Sequence, residues 1–134
     1  MIGSLSKELL DRIIETMPVE ISVIDGDDKV IGWNKHESRV FKRPEKVLGR
    51  DVRMCHPKRS LAAVEQLLSE MKEGSRDSAR FWIDFPVGAD KKLEKVLIEY
   101  YALRDDIGKY VGCVEVSQKI SSIVGISGEK RLMD

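Results

Sequence analysis

Hydrophobic and polar positions alternate through much of the chain, and the period of the alternation predicts its helices and strands. Apolar side chains recur at helical spacing over residues 5–17, where Ser6 is a suitable N-cap and Pro18 ends the helix. The apolar face of this helix is formed by Leu9, Leu10, Ile13, Ile14 and Met17. Such a face must be buried on its own domain or on the same helix of a second copy.

A hairpin is predicted next, because the period changes from helical to two. Residues 19–24 alternate as a half-buried strand does, residues 25–28 form a turn, and residues 29–33 form a second strand. We expect Asn34 to cap a short helix, since Glu37 completes the spacing of a capping box.

A longer helix is predicted from Pro57, whose fixed φ and missing N–H suit a first helical turn. Gly74 is its expected C-terminal stop. The apolar stripe of this helix is formed by Leu61, Val64, Leu68 and Met71. Residues 49–60 lead directly into it, and we therefore expect them to lie at the positive end of the helix dipole.

Three further strands follow, over residues 80–87, 93–103 and 110–116. In the last of these, Val114 shares a face with glycine and valine neighbours, while Glu115 points the other way. The order of elements predicts an α+β fold, with an antiparallel sheet whose one face is covered by helices.

Composition narrows the class of protein. The 134 residues fit one domain, and 23 basic residues balance 23 acidic ones, so net charge gives no reason to expect nucleic acid or a membrane surface as partner. Two cysteines and no long apolar run favour a reducing, cytoplasmic location. We expect an N-terminal amphipathic helix over residues 1–17, a domain over residues 18–121, and a helix or linker over residues 122–134.

Candidate chemistry gathers before the long helix, where Cys55 and His56 are flanked by Arg50, Arg53 and Lys58. At a helix N-terminus an imidazole tends to be neutral, and it could hydrogen-bond a ligand, ligate iron, or bond a backbone group and fix the loop. The basic side chains there could bind a carboxylate or phosphate. These alternatives remain open from the residues alone.

Two other kinds of site are not expected. Structural zinc needs three or four ligands, and the histidines and cysteines lack a ligand-pair spacing. A catalytic Cys55–His56 pair is disfavoured because neighbours in sequence generally point apart. We therefore expect a binding protein and not an enzyme.

Short motifs carry a resemblance to a known family. The hairpin ending in Asn34, Gly49 before the long helix, and Gly108 with Gly112 resemble a PAS domain over residues 18–121. A narrower set is similar to the PAS-like domain that follows a hemerythrin-type domain in bacterial and archaeal proteins: Asn34-Lys35-His36, Arg43-Pro44, Gly49-Arg50-Asp51-Val52-Arg53, Cys55-His56-Pro57 and Gly108-Lys109-Tyr110.

The resemblance implies a five-stranded antiparallel sheet that cups a cavity, with the long helix as the other wall. It implies a sensor module that binds a small molecule, such as an anionic metabolite, and transmits the change through its terminal helices. The alternative is a ligand-free dimerisation or docking module. The side chains expected to contact a ligand are His56, Cys55, Arg53, Arg50, Lys58, Trp33 and Val114.

The resemblance also bears on cofactors and partners. Haem would be held by His56, whereas flavin is not expected, because the reactive cysteine of flavin-binding relatives has no counterpart here. A homodimer through the N-terminal helix and the outer face of the sheet is expected, together with a hemerythrin-like or signalling output protein. The chain has Lys119-Ile120-Ser121 where PAS domains commonly have Asp-Ile-Thr, which bears on how a signal would leave the domain.

Overall fold

The computed structural model describes residues 1–133. Its helices and strands are α1 (Lys7–Thr16), β1 (Glu20–Asp25), β2 (Val30–Trp33), α2 (Leu61–Glu73), β3 (Ser78–Val87), β4 (Lys92–Arg104) and β5 (Tyr110–Lys119). Short 3-10 turns lie at Glu45–Val47, Val52–Cys55 and Lys58–Ser60. Within the described residues, no helix has the length and apolar character needed to cross a membrane.

The strands form one antiparallel sheet of order β2-β1-β5-β4-β3. Tyr100 of β4 and Ser22 of β1 both lie opposite Glu115 of β5, so these three side chains share the inner face of the sheet. Val114 and Tyr101 are paired on the outer face. The five-stranded α+β fold predicted from the alternation is confirmed.

Gly112 is required where β1 and β5 cross closely. Its φ is 151°, and a Cβ added there would lie 2.3 Å from the carbonyl oxygen of Ile24. That separation is far below van der Waals contact, so no larger residue fits without moving the backbone. The glycine therefore permits the close approach of β5 to the backbone of β1 at Ile24.

The hydrophobic core lies between the inner face of the sheet and α2. Leu68 and Met71 of α2 are buried against Ile24 and Ile98 of the sheet. Gly74 ends the helix in a left-handed conformation with φ of 84°, and its N–H reaches back to the last turn. The apolar stripe and the C-terminal stop of this helix are as predicted.

The predicted start of the long helix at Pro57 is wrong by one turn. Pro57 has an extended conformation, with φ of −67° and ψ of 153°, and caps the 3-10 turn Lys58–Ser60. The α-helix begins only at Leu61. Cys55 therefore ends the 3-10 turn Val52–Cys55, and His56 follows it directly. Neither residue lies at an α-helix N-terminus, so the helix dipole is not the cause of their properties.

The short helix expected after Asn34 does not form. Residues 36–38 form a turn, and the Asn34 side chain makes its hydrogen bonds elsewhere. Its Oδ1 accepts a hydrogen bond from the Ile21 N–H at 2.6 Å, and its Nδ2 donates to the carbonyl oxygens of Ile14 and Val19 at 2.8 and 3.0 Å. A side chain that ties the end of α1 to β1 cannot also cap a following helix.

The ends of the chain are less packed than the sheet. Ser6 caps α1 as predicted, its hydroxyl accepting from the Leu9 N–H at 3.1 Å. No residue of α1 is buried, and Ile13 remains 37% exposed. The segment predicted as a helix or linker, residues 122–134, contains turns and no helix as far as Met133, and Asp134 lies outside the described residues.

Candidate functional site

A half-open cavity of about 820 Å³ lies under the inner face of the sheet. Its other walls are residues 40–43, the 3-10 turns before α2, and α2 itself. Most of the lining is apolar, with contributions from Ile24, Val64, Leu68, Phe81, Phe85 and Ile98. A cavity between the sheet and the long helix is what the family resemblance implies, and the strand alternation with the stripe of α2 determines which side chains face each other across it.

A polar cluster interrupts this apolar lining at the centre of the sheet. The Tyr100 hydroxyl donates to Glu115 Oε2 at 2.5 Å, and Arg43 Nη2 lies 3.4 Å from Glu115 Oε1. Burial, and next the negative charge of Glu115, raise the pKa of Tyr100 well above its usual value. The phenol therefore stays protonated and acts as a donor to the carboxylate.

Ser22 and Arg39 lie directly behind this cluster. Arg43 Nε donates to Ser22 Oγ at 2.9 Å, and Arg39 Nη2 donates to the same oxygen at 3.1 Å. Arg39 is buried, with its Nε 3.7 Å from a carboxylate oxygen of Glu20. Burial lowers the pKa of Arg39, and the charge of Glu20 opposes that effect. The two guanidinium groups thus meet at one hydroxyl.

His56 lines the cavity beside the cluster. Its Nε2 is buried and has no hydrogen-bond partner among residues 1–133. Burial lowers the pKa of His56, the charge of Arg43 lowers it further, and the charge of Glu115 opposes both. The imidazole is therefore neutral at neutral pH, as predicted, but burial and not a helix dipole is the cause of the lowered pKa. A buried ring nitrogen without a partner is costly unless a ligand or water satisfies it.

Cys55 also lines the cavity, and its sulfur is a thiol. Burial raises the pKa of Cys55, and the positive charge of Arg43 only partly offsets this. Cys55 is half-buried, and the N-terminus of α2 lies elsewhere, so no helix dipole opposes this effect. Cys113 is fully buried on the same face, and burial raises its pKa to about 11.

Arg53 is held by carboxylates outside the cavity. Its guanidinium lies 3.0 Å from Asp28 and 3.1 Å from Asp51, and it also hydrogen-bonds Glu65. These hydrogen bonds, that with Glu65 foremost, raise the pKa of Arg53. The side chain ties the hairpin to α2, and it is not among the residues that line the cavity.

Other basic side chains line the cavity in its place. Arg50 and Lys58 are exposed, form no ion pair within residues 1–133, and lie outside the lining. Lys42, Arg43 and Arg59 do line it. Arg59 belongs to the basic stretch seen in the sequence, whereas the segment with Lys42 and Arg43 has no periodic pattern that would place it on a wall.

Two more predicted site residues lie away from the cavity. Trp33 packs against the edge of the core, and its Nε1 donates to His36 Nδ1 at 3.0 Å. Val114 is on the outer face of the sheet, opposite Val23 and Tyr101. The alternation in the sequence correctly placed Val114 and Glu115 on opposite faces of β5. The residue of these two that lines the cavity is Glu115 and not Val114.

Metal and haem binding have little support in the side-chain arrangement. Within residues 1–133, no group of three or more histidine, cysteine, aspartate or glutamate side chains could hold a metal ion. His56 is the imidazole on the cavity wall, so haem iron would have one protein ligand there.

A curled antiparallel sheet of order 2-1-5-4-3 with a helix across its hollow defines the class of PAS-type sensory folds. The sequence profile of the PAS domain family matches residues 10–121. The chain therefore belongs to the PAS domain family, whose members are typically sensor and signalling modules. No curated protein matches the sequence.

Solved structures agree with this assignment. A C-terminal domain from Streptococcus mutans is 30% identical with a TM-score of 0.78, and the alignment covers 91% of this chain and 90% of that one. The PAS domain of Bordetella pertussis BvgS is 19% identical, with a TM-score of 0.62 and 85% of each chain covered. VqmA bound to DPO is 18% identical with a TM-score of 0.61, covering 87% of this chain and 58% of that one.

Proposed function

We propose that this domain is a sensor that binds a small molecule with an apolar body and one anionic group in the cavity beside His56. The observation that carries the proposal is the buried, unpartnered His56 Nε2 next to the Glu115–Arg43 pair in a largely apolar cavity. An apolar pocket with a few converging polar groups is the usual form of a small-molecule site.

The size of the cavity suits such a ligand. Ligand sites typically enclose about 300–1,000 Å³, and this one encloses about 820 Å³. Phe81, Phe85 and Leu68 would contact the apolar body. Burial of that body would supply most of the binding free energy, because it scales with the apolar area removed from water.

The charges on the wall favour an anion. Lys42, Arg43 and Arg59 line the cavity against the one carboxylate of Glu115. The 3.4 Å separation between Arg43 and Glu115 is long for a charge-assisted hydrogen bond. A ligand carboxylate could therefore compete for Arg43, while neutral His56 donates to or accepts from a polar atom of the ligand.

A structural relative supports the use of this fold for ligand binding. VqmA is described as bound to DPO. At 18% identity the likeness shows the fold alone, so the identity of that ligand is not carried over. The chemistry proposed here comes from the side chains of this chain.

The test compares two probes that differ in charge, octanoate and octanol, by isothermal titration calorimetry. We expect one molecule of octanoate to bind, with octanol weaker by about tenfold or more, since the charged hydrogen bonds are lost. Equal affinities, or no binding of either probe, would overturn the anionic class. An absorbance band of haem in the purified protein would overturn the small-molecule proposal in favour of a haem site with His56 as the iron ligand.

Self-association through α1 is a second candidate function. Leu9 is 49% exposed and Ile13 is 37% exposed on a helix that buries no residue, so much of its apolar face is uncovered within residues 1–133. Trp82 adds exposed apolar surface on the outer face of the sheet. A second copy of the chain would cover α1 with an equivalent helix, as in a two-fold symmetric dimer.

Sedimentation of two matched variants tests this candidate. Ile13→Glu places a charge on the apolar face of α1, whereas Ile107→Glu makes the same change at an 88% exposed turn residue. We expect wild type and Ile107→Glu to be dimers and Ile13→Glu to be a monomer. A monomeric wild type at high concentration would remove the candidate.

For the partner protein, we propose a hemerythrin-like or other signalling protein. One support is the resemblance of the sequence motifs to the PAS-like domain that follows hemerythrin-type domains. The other is the S. mutans relative, which is itself the C-terminal domain of a longer protein. A purified hemerythrin-type domain from the same organism should bind the wild-type chain in a titration. The proposal fails if it binds no more tightly than an unrelated helical bundle of similar charge.

A further inference from the structure

We infer that Ser22 and Arg39 couple the polar cluster of the cavity to α1, so that the position of Arg43 controls how firmly the end of that helix is held. The inference rests on the proposed function for its trigger, which is a ligand that attracts Arg43. Its physical basis is a continuous set of hydrogen bonds within the described residues.

The first link is the hydroxyl of Ser22, which is 1% exposed. Its Oγ accepts from Arg43 Nε at 2.9 Å and from Arg39 Nη2 at 3.1 Å. Two cationic groups share one small acceptor, and neither can be replaced there by bulk water. A change in the position of Arg43 must therefore change the environment of Arg39.

The second link is Arg39, which holds three backbone carbonyls. Nη1 donates to Asn34 at 3.0 Å and to Ile21 at 3.2 Å, and Nε donates to Phe41 at 2.9 Å. Arg39 is fully buried and its donors must find acceptors within the protein. Its side chain thus positions Asn34 from the cavity side.

The third link joins Asn34 to α1. Its amide bonds the carbonyl of Ile14, in the last turn of the helix, and that of Val19 just beyond it. Lys35 adds two hydrogen bonds to Glu15, one from its N–H at 2.9 Å and one from its Nζ at 2.8 Å. Because α1 buries no side chain, these polar contacts make a large share of its attachment.

The cluster offers Arg43 two arrangements. In the structure it bonds Ser22 and lies near Glu115, and in a liganded state it would bond the anionic group. A ligand shifts a conformational equilibrium only through different interactions in the two states. Here that difference is located at Arg43, and its release from Ser22 would leave the hydroxyl to Arg39 alone.

The experiment replaces the ligand with a mutation. Glu115→Gln removes the charge that attracts Arg43, and amide hydrogen exchange reads the response at Met17 and Ile21, whose N–H groups bond Ile13 and Asn34. Ser22→Ala deletes the shared hydroxyl. Ser117→Ala is the matched control, since Ser117 is 2% exposed on the same face but its hydroxyl has no hydrogen-bond partner in the described part of the chain.

We expect Glu115→Gln to change exchange at Met17 and Ile21 by about threefold or more in the wild-type and Ser117→Ala backgrounds, the range seen for coupled networks. In the Ser22→Ala background the same mutation should have little effect at these amides. Equal effects in all three backgrounds, or none in wild type, would overturn the inference.

The outcome is independent of ligand binding. If octanoate does not bind but the Ser22→Ala background abolishes the response, the coupling stands and the proposed ligand class falls. If octanoate binds and the response is the same in all backgrounds, the ligand site stands and the coupling falls. Unfolding measured by circular dichroism for each variant shows whether the exchange data refer to the folded state.

Discussion

The two faces of the sheet carry the same trio of side chains in different settings. On the outer face, Glu99 accepts from Tyr101 at 2.7 Å and from Arg80 at 2.8 and 2.9 Å. On the inner face, Glu115 accepts from Tyr100 at 2.5 Å, and its arginine is 3.4 Å away. The two tyrosines are neighbours on β4 and point to opposite faces.

The two sets of side chains, Glu99–Tyr101–Arg80 (the outer trio) and Glu115–Tyr100–Arg43 (the inner trio), differ in their capacity to bind a ligand. The outer trio is closed: the hydrogen bonds with Tyr101 and Arg80 lower the pKa of Glu99, and solvent reaches the arginine. The inner trio is largely buried, its ion pair is long, and His56 Nε2 beside it has no hydrogen-bond partner within residues 1–133. The inner polar cluster can therefore form further hydrogen bonds with a ligand. The outer cluster has no such capacity left, because Glu99 already accepts from both Tyr101 and Arg80.

The largest expected effect is on stability when each carboxylate is removed. Glu115→Ala leaves Arg43, whose side chain is 11% exposed, without its charged partner, and we expect the free energy of unfolding to fall by about 3 kcal/mol. Glu99→Ala should cost clearly less, because water screens and solvates Arg80. Chemical denaturation of both variants measures this, and equal losses would show that burial does not distinguish the two clusters.

A smaller effect is expected when each tyrosine hydroxyl is removed. Tyr100→Phe takes the buried donor from Glu115, at a cost of about 1–3 kcal/mol for an acceptor left unsatisfied. Tyr101→Phe should remain close to wild type, since Arg80 still donates to Glu99. Thermal and denaturant unfolding measure the stability of both variants. A larger loss of stability in Tyr101→Phe than in Tyr100→Phe would contradict the proposed difference between the two clusters.

The smallest effect is the pH dependence that His56 contributes. Burial lowers its pKa below the ordinary 6.5, so the unfolded chain binds the proton more readily than the folded one. Stability should therefore fall as pH drops through that ordinary value, by at most about 1.4 kcal/mol per pH unit. The measurement is unfolding of wild type, His56→Gln and His36→Gln between about pH 7 and pH 5, around the titration range of a free imidazole.

His56→Gln should lose this part of the slope. If His56→Gln keeps the wild-type slope, or if wild type becomes more stable on acidification over that range, the burial of a neutral His56 is contradicted. Both histidine variants also report whether the substitution itself changes stability at pH 7.

The fold could be predicted from the sequence because alternation and helical spacing are local and strong. The strands over residues 80–116 and the stripe of α2 gave the sheet and its inner face, and Gly112 marks the close crossing of β1 and β5. The start of α2 was harder, since Pro57 suits both a first helical turn and the extended residue before a 3-10 turn. Local propensity alone does not choose between them.

The site was predicted less completely, for a physical reason. His56 and Cys55 were placed on the cavity wall by their position before α2, but Arg43 and Glu115 come from segments 72 residues apart. Their meeting depends on tertiary packing, which no local pattern contains. Arg53 was chosen for its charge, but the carboxylates of Asp28 and Glu65 from other segments, together with that of neighbouring Asp51, hold it outside the cavity.

The most direct test of the ligand site is the affinity of octanoate for two arginine variants, one from each trio. Arg43→Gln should weaken binding by about tenfold or more, the usual effect of losing a charged hydrogen bond. Arg80→Gln should leave the affinity at the wild-type value, since Arg80 lies on the other face of the sheet. Equal affinities for the two variants would contradict a ligand site in the cavity beside His56.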